Sequence, residues 1–326
     1  MVITGGSQGM GRALGKILSS KGANVVLVAR DPSKLALAKE YIAAVAKSPT
    51  KQRFLTVSAD VTDPAESQRI LDETTTWNHN QPPDIVWANA GSAHPSLFTD
   101  TSIRTLRAQM DINYWGAAYL AHATLRQWFA PTTRKAPAAP SRQPRHFIIT
   151  SSSVAYVGVA GYAPYSPAKA ALRNLADALC SEVNLYNGAR RSKDAAIVAN
   201  APERDVNVHI VIPGTILTEG FDKENASKHP VTKVLEEGDP KQTEDEVAAA
   251  AIKGLERGEY MVTTQWLGYL MKVGMMGGSA RGRWLLDTVV GGLANVAWLF
   301  IGPDMNHKVY EFGKRKGILS KSQDQS

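Results

Sequence analysis

Short apolar runs rich in β-branched residues alternate along the chain with longer amphipathic stretches. The apolar runs are MVI at the start and residues 24–29, 53–59, 84–88, 146–151 and 206–212. Strands that are nearly continuous in apolar residues, and are separated by helices, are typical of a parallel sheet covered on both sides. The pattern therefore predicts an α/β fold with a doubly wound parallel sheet and helices on both faces.

Helices are predicted between these strands. Their ranges are 9–21, 32–47, 64–77, 102–129 (one helix or two), 164–186 and 243–258, the last opened by a capping box of Thr243 with Glu246. The first apolar run has only three residues, so we expect further residues upstream. The stretches 131–145 and 187–205 are predicted to be surface insertions without regular structure, because the alternation resumes after each.

The chain is predicted to have one catalytic domain, residues 1–262, and an apolar extension, residues 263–326. Within the extension, 266–276 and 284–302 are the most apolar parts. The second is close to the roughly 20 residues needed to cross a bilayer. Three interpretations of it stay open: an interfacial or re-entrant helix, a spanning helix, and a soluble helix or dimer surface.

Polar residues inside 284–302 argue against a simple span, because Asp287 and Asn295 interrupt it. Trp284 and Trp298 near its ends fit a membrane interface. The net charge of +7 falls in predicted loops and the tail rather than on a basic helix with interleaved aromatics. This distribution favours attraction to an anionic membrane surface over nucleic-acid binding.

Cysteine and histidine are used sparsely. Cys180 is the single cysteine, and the seven histidines lack the short spacings of metal sites. The sequence therefore excludes an internal disulfide framework and predicts no metal.

A glycine-rich string, TGGSQGMG at Thr4–Gly11, lies between the first strand and the first helix. Glycines at 5, 9 and 11 let the backbone turn tightly and approach a pyrophosphate, which a helix N-terminus then faces. The string includes Ser7, Gln8 and Met10. It predicts a dinucleotide site.

The residue after the second strand bears on the choice of cofactor. An acidic residue there would bind a ribose 2′-hydroxyl, but LVARDPSKL has Arg30, which suits a 2′-phosphate and favours NADP(H) over NAD(H). Ser7 and Lys34 are candidate helpers, although Lys34 is also an ordinary solvated helix residue. Asp31 keeps NAD(H) open if the loop is shifted.

Further polar residues follow the third and fourth strands. Asp60 comes with Val61 after the third strand, and Asn89, Ala90 and Gly91 follow the fourth. Both positions are at carboxyl ends of strands, where ligands bind in open α/β sheets. Turn formation is the plain alternative for an Asp or Asn there.

A tyrosine and a lysine lie four residues apart in YSPAK, at Tyr165 and Lys169. Side chains at this spacing share a helix face. Pro167 lies between them, so we predict that the helix begins at Pro164, where the first amides lack helical acceptors anyway. Tyr165 then lies in the first turn, and Lys169 is expected to lower its pKa and make it a proton donor.

Together these motifs resemble the short-chain dehydrogenase/reductase family, in order and spacing, over about residues 1–220. The resemblance also rests on NAG at 89–91, DINYWG, SSS at 151–153 and PGTILT at 213–218. It implies a Rossmann fold and catalytic Asn113, Ser152, Tyr165 and Lys169. Ser151 and Ser153 are equivalent to Ser152 by residue type. Pro213, Gly214, Ile216 and Thr218 are expected at the nicotinamide end of NADPH/NADP+.

Within that family, VITGGSQGMG, VLVARDPSKL and the stretch around Tyr165 look most like enzymes that reduce a long-chain keto-sphingoid base. This likeness implies the endoplasmic reticulum membrane, with the catalytic domain facing the cytosol, and leaves a homo-oligomer possible. Residues 219–242 are predicted to be a mobile substrate flap. Two alternatives stay open: reduction of a steroid, retinoid or xenobiotic carbonyl, and a non-catalytic NADP(H)-binding scaffold.

Overall fold

The computed structural model describes residues 1–130 and 143–316, and within them the main sheet has seven strands, all parallel. The strands are β1 Val2–Thr4, β2 Val25–Ala29, β3 Phe54–Ser58, β4 Ile85–Ala88, β5 Arg145–Thr150, β6 Val206–Ile212, a small pair β7 Thr215–Leu217 and β8 Lys241–Thr243, and β9 Met261–Thr263. The order in the main sheet is β3-β2-β1-β4-β5-β6-β9. The predicted parallel α/β sheet is confirmed, and β9 is a further strand that the sequence pattern missed.

Helices cover both faces of this sheet. They are α1 Gly9–Ser20, α2 Pro32–Ala43, α3 Pro64–Trp77, α4 Ile103–Met110, α5 Gly116–Phe129, α6 Ser166–Ala189, α7 Ala195–Ala199, α8 Glu219–Ser227, α9 Pro230–Leu235, α10 Glu244–Glu256, α11 Trp266–Gly274 and α12 Trp284–Lys316. One buried cluster joins α1, α2 and α10 to the sheet, and a second joins α3, α5 and α6. Strand order reverses between β1 and β4, so the edge beside them is a topological switch point.

Local capping signals explain why several helices begin where the sequence predicted. Asp31 and Asp63 cap α2 and α3 with their side chains, and a proline follows each. The capping box of Thr243 with Glu246 is present at α10. Such caps satisfy amides that have no helical acceptor, so the helix start is encoded by neighbouring residues.

Two predicted insertions turn out differently. Residues 187–205 are not structureless, because α6 continues to Ala189 and α7 follows within the stretch. Residues 131–142 of the other insertion lie outside the described residues. Its last residue, Arg145, begins β5 and is 3% exposed, so that position was wrongly predicted to be surface.

The predicted helical region 102–129 is divided. A π-helical turn, Asp111–Trp115, separates α4 from α5. Such turns are rare and occur often at functional sites. The turn buries Asn113 completely.

The apolar extension forms α11 and α12, which pack against each other. A side chain at Gly291 would lie 2.6 Å from the Val273 carbonyl oxygen, so glycine allows the close approach. In the described part of the chain, α12 alone is long and apolar enough to cross a membrane, by length and composition; 11% of its most apolar window is buried. Large apolar side chains such as Leu293 and Phe300 are exposed on it.

Candidate active site

A cavity of about 1170 Å³ lies at the carboxyl edge of the sheet, next to the switch point. This exceeds the roughly 300–1,000 Å³ of ordinary small-molecule sites, so it has room for two ligands. The predicted residues that line it are Gly5, Ser7, Gln8, Gly9, Met10, Arg30, Lys34, Asp60, Val61, Asn89, Ala90, Gly91, Ser152, Tyr165, Lys169, Pro213, Gly214, Ile216 and Thr218. Thr4, Gly11 and Asn113 lie behind that lining.

The glycine turn has the conformation that its residues allow. Gly5 and Gly9 have positive φ angles of +65° and +58°, which disfavour any other residue. A Cβ at Gly11 would lie 2.2 Å from the Gly5 carbonyl oxygen. The Thr4 hydroxyl accepts hydrogen bonds from the amides of Asn89 and Ala90, at 3.0 and 3.1 Å, and so ties the ends of β1 and β4 together.

After β2, the Asp31 side chain caps a helix, whereas the Arg30 and Lys34 side chains line the cavity. The Asp31 carboxylate accepts hydrogen bonds from the amides of Ser33 and Lys34 as the cap of α2. Arg30 is exposed and lines the cavity. The Lys34 ammonium donates to Gln8 at 3.1 Å and lies 3.7 Å from the Glu219 carboxylate. The residue beside the predicted ribose position, Arg30, is therefore basic. The neighbouring Asp31 carboxylate already accepts hydrogen bonds from the first amides of α2.

Hydrogen bonds hold the neighbouring strand ends. The Thr150 hydroxyl donates to Asn89 Oδ1 at 3.1 Å, and Asp60 accepts from the amide and hydroxyl of Thr62. Val61 is 6% exposed and packs beside Gly116. These contacts fix the cavity floor to the carboxyl ends of the strands.

The segment after β6 closes the other side. The Pro213 carbonyl accepts from the Ser153 amide at 2.9 Å, and Gly214 lies against the Gln265 side chain. Ile216 is in β7, and the Thr218 hydroxyl caps α8 by accepting from the Phe221 amide.

Helix α6 begins at Ser166, two residues later than predicted, with Tyr165 as its cap residue and Pro167 in the first turn. The amides of Tyr165 and Ser166 both donate to the Tyr162 carbonyl, at 2.9 and 2.8 Å, and close a turn before the helix. Pro164 lies in that turn. The Lys169 ammonium is 5.5 Å from the centre of the Tyr165 ring, which confirms that the two share a face.

The three serines at the end of β5 are distinct in the structure. Ser151 is buried and donates to the Lys169 carbonyl at 2.8 Å, whereas the Ser153 amide donates to the Pro213 carbonyl. The Ser152 side chain hydrogen-bonds Tyr165. Of the three, Ser152 is the one that the structure brings to the tyrosine hydroxyl.

The pKa of Tyr165 is raised in this structure, not lowered as predicted. Burial raises the pKa of Tyr165, the Glu224 carboxylate raises it further, and the hydrogen bond from Ser152 lowers it. Lys169 is itself desolvated, which lowers its pKa to about 8. Its ammonium donates to the Thr150 carbonyl at 3.2 Å. Burial in a low-dielectric site is therefore the largest cause of the pKa shift at both groups.

The Asn113 side chain binds backbone groups. It donates to the carbonyls of Ser92 and Gln109 at 2.8 and 3.0 Å, and its oxygen accepts from the Ser92 amide at 3.1 Å. The side chain thus connects the loop after β4, through Ser92, with α4, through Gln109. The Asn113 oxygen and the Lys169 ammonium both lie close to Gly91, where a Cβ would be 2.8 and 3.2 Å from them.

A charged cluster beside Tyr165 was missed by the sequence analysis. Tyr162 contacts a carboxylate oxygen of Glu224 and one of Glu236, the latter at 2.7 Å. The Lys228 ammonium, whose side chain is fully buried, pairs with both glutamates at 3.1 and 2.7 Å. The glutamates and Lys228 are in the predicted flap, and no spacing pattern there points to a site.

The opposite end of the cavity is apolar. Side chains of α11 and α12 form this wall: Leu267, Leu270, Met271, Val290, Leu293, Ala294, Ala297, Trp298 and Ile301. The same cavity thus extends from the glycine turn, past Ser152 and Tyr165, to the apolar extension.

The fold and this arrangement define an oxidoreductase of the nicotinamide-binding α/β type, and comparison with known proteins agrees. Residues 1–190 match the family model described as short chain dehydrogenase. The chain belongs to the short-chain dehydrogenase family.

Two relatives are similar over nearly the whole chain. A 3-ketodihydrosphingosine reductase of Aspergillus fumigatus is 47% identical, covering 98% of this chain and 86% of the relative. A 3-ketodihydrosphingosine reductase of Neurospora crassa is 42% identical, covering 97% and 83%. A crystal structure of a short chain dehydrogenase/reductase from Burkholderia phymatum in complex with NAD has a TM-score of 0.62 and 18% identity, covering 81% of this chain and 88% of that one.

Proposed function

We propose that the protein is an NADPH-dependent reductase that converts 3-ketodihydrosphingosine to sphinganine. The observation that carries this proposal is the continuous cavity, in which a dinucleotide cradle, a Ser152–Tyr165–Lys169 group and an apolar wall follow one another. The relatives named 3-ketodihydrosphingosine reductase support the substrate, a ketone with a long alkyl chain and a polar head.

The residues present fit a nicotinamide dinucleotide. The backbone at Gly5 and Gly11 leaves no room for side chains, Gly9 has a positive φ angle, and the N-terminus of α1 faces the turn. NADP(H) is favoured because Arg30 lines the cavity while Asp31 is bound in the cap of α2. The solved structure with NAD does not decide this point, since it shares the fold alone. Gly91, Pro213, Gly214, Ile216 and Thr218 would surround the nicotinamide end.

Each group near the carbonyl has a separate role. The cofactor supplies a hydride when bound. Ser152 donates a hydrogen bond to the carbonyl oxygen, and Tyr165 gives its hydroxyl proton to that oxygen as negative charge develops. Tyr165 carries its proton at neutral pH, since its pKa lies above the ordinary value for a phenol. The ammonium of Lys169 would hold the ribose of the cofactor, and Asn113 fixes the loop beside Lys169.

The extension places the cavity beside a membrane in this proposal. Residues 1–262 form the catalytic domain, and α11 and α12 lie against a bilayer through exposed side chains such as Trp266 and Phe300. A water-insoluble ketone would then pass directly to the apolar wall. We place the protein at the endoplasmic reticulum with its catalytic domain toward the cytosol.

Turnover of 3-ketodihydrosphingosine by Tyr165→Phe tests the assignment. We expect at least about a 100-fold loss of kcat, since a general acid contributes about 10²–10⁴-fold, with NADPH binding unchanged. Tyr156→Phe is the matched control, because Tyr156 is buried against α6 and outside the cavity lining. Substantial activity in Tyr165→Phe, or turnover of steroids but not of the keto-sphingoid base by the wild type, would overturn the proposal.

A further inference from the structure

The charged cluster of Tyr162, Glu224, Lys228 and Glu236 lies inside the cavity wall, next to the proton donor. The rings of Tyr162 and Tyr165 are 6.1 Å apart, and Tyr162, Glu224 and Glu236 line the cavity. Side chains at 18% and 19% exposure keep both glutamates accessible from within it. The cluster is therefore in position to contact a substrate held at Tyr165.

The charges in the cluster do not balance. Two carboxylates face one ammonium, that of Lys228, which leaves one negative charge. Nearby Asp239 also lines the cavity, and burial together with Glu236 raises its pKa. Excess negative charge at a half-buried site costs free energy unless a cation neutralises it.

The hydrogen bonds single out Glu224. Glu236 uses one oxygen for Tyr162 and the other for Lys228, at 2.7 Å each. Glu224 receives both Tyr162 and Lys228 on the same oxygen, Oε1. Among the residues that the structure describes, nothing donates to Glu224 Oε2. The Tyr162 hydroxyl has one proton and can donate to only one of the two carboxylates at a time. Glu224 can therefore accept a hydrogen bond from a further donor.

We propose that Glu224 binds the ammonium group of the substrate, with Tyr162, Lys228 and Glu236 as positioning residues. This inference rests on the proposed function, in which the amino-bearing carbon of the substrate is bonded directly to the carbonyl carbon. A carbonyl held by Ser152 and Tyr165 would then present the ammonium to Glu224, the carboxylate that acts on Tyr165. The charge of Glu224 is already felt at Tyr165, where it raises the pKa of the hydroxyl.

Binding of the substrate ammonium should also change the acidity of Tyr165. A bound ammonium offsets the charge of Glu224, so it removes one of the two causes that raise the pKa of Tyr165. Substrates with the amine therefore make the proton donor more acidic as they bind. Ketones without it gain neither the contact nor this effect.

The test compares 3-ketodihydrosphingosine with its deamino analogue, a 1-hydroxy-3-ketone of the same length, in the wild type and in Glu224→Gln. A hydrogen bond to a charged group contributes about 1.5–3 kcal/mol, so wild-type kcat/KM should favour the amino ketone by about 10–100-fold. In Glu224→Gln that preference should shrink to about threefold or less, because activity on the amino ketone falls relative to activity on the deamino ketone. Sphinganine binding to the NADP+ complex should weaken in parallel.

Glu237→Gln is the control, since it removes an equal charge from an exposed position outside the cavity lining. NADPH binding, measured by fluorescence, verifies that each variant is folded, and Glu224→Asp should restore part of the preference. Equal loss on both ketones in Glu224→Gln would overturn the ammonium site while leaving the proposed function intact. Absence of wild-type turnover of the amino ketone would overturn both.

Discussion

Replacing Arg30 with alanine should separate the two nicotinamide cofactors. We expect the KM for NADPH to rise about 10–100-fold while the KM for NADH changes less than about twofold. The reason is that the Arg30 side chain lines the cavity at the end of β2, where, in the proposed function, the 2′-phosphate of NADPH would be its charged partner.

The size of the effect follows from the surroundings of each basic residue. One charge-assisted hydrogen bond contributes about 1.5–3 kcal/mol, which is about 10–100-fold in affinity. Lys34 is already held by Gln8 at 3.1 Å and by Glu219 at 3.7 Å. An exposed ion pair of this kind contributes about 0–1 kcal/mol. A contact of the exposed Lys34 ammonium with the 2′-phosphate should be similarly weak, so Lys34→Gln should change the KM for NADPH by about fivefold at most.

Steady-state kinetics with both cofactors measure these effects, and Asp31→Ala provides the control. Asp31 accepts from the amides of Ser33 and Lys34, so its removal should cost about 1 kcal/mol of stability without changing cofactor preference. If Arg30→Ala raises both KM values equally, Arg30 does not bind the 2′-phosphate. If Asp31→Ala weakens NADH selectively, the carboxylate binds ribose and the reasoning about its cap is refuted.

Two further predictions concern the apolar wall and the sheet. Leu270→Asp should lower kcat/KM for the long-chain ketone by about 10–100-fold, because the alkyl chain would bury this exposed leucine, and should leave an eight-carbon analogue nearly unchanged. Equal loss on both would place the alkyl chain elsewhere. In β5, burial and His209 lower the pKa of His146 to about 4. The unfolded chain binds this proton near pH 6.5 but the folded chain does not, so stability should fall as the pH drops from about 6.5 to 4. His146→Gln should flatten that decline in thermal unfolding measurements, and an identical pH profile would contradict the assignment.

Features that depend on neighbours in sequence were predictable. Helix α3 was predicted at 64–77 and spans Pro64–Trp77, because the Asp63 cap and the following proline are local signals. The predicted residues at strand ends line one cavity because parallel strands present their carboxyl ends at one edge. Likewise, Tyr165 and Lys169 share a face through their spacing alone.

Other features required the folded chain. The start of α6 depends on a turn closed onto the Tyr162 carbonyl, which competes with the helix start that Pro164 suggested. The contacts of Tyr162 with Glu224 and Glu236 span 62 and 74 residues, beyond the reach of any motif. The pKa of Tyr165 is likewise raised by burial and by Glu224, and both causes depend on how distant segments pack.

The sequence by itself determined the parallel sheet and the glycine turn and predicted the candidate reacting residues, because alternation, capping and helical spacing act over a few residues. Tertiary structure alone decided how α8, α9, α11 and α12 enclose the cavity, since that depends on which distant surfaces pack together. The result is a site whose chemistry is encoded locally and whose charged and apolar walls come from segments without a motif of their own.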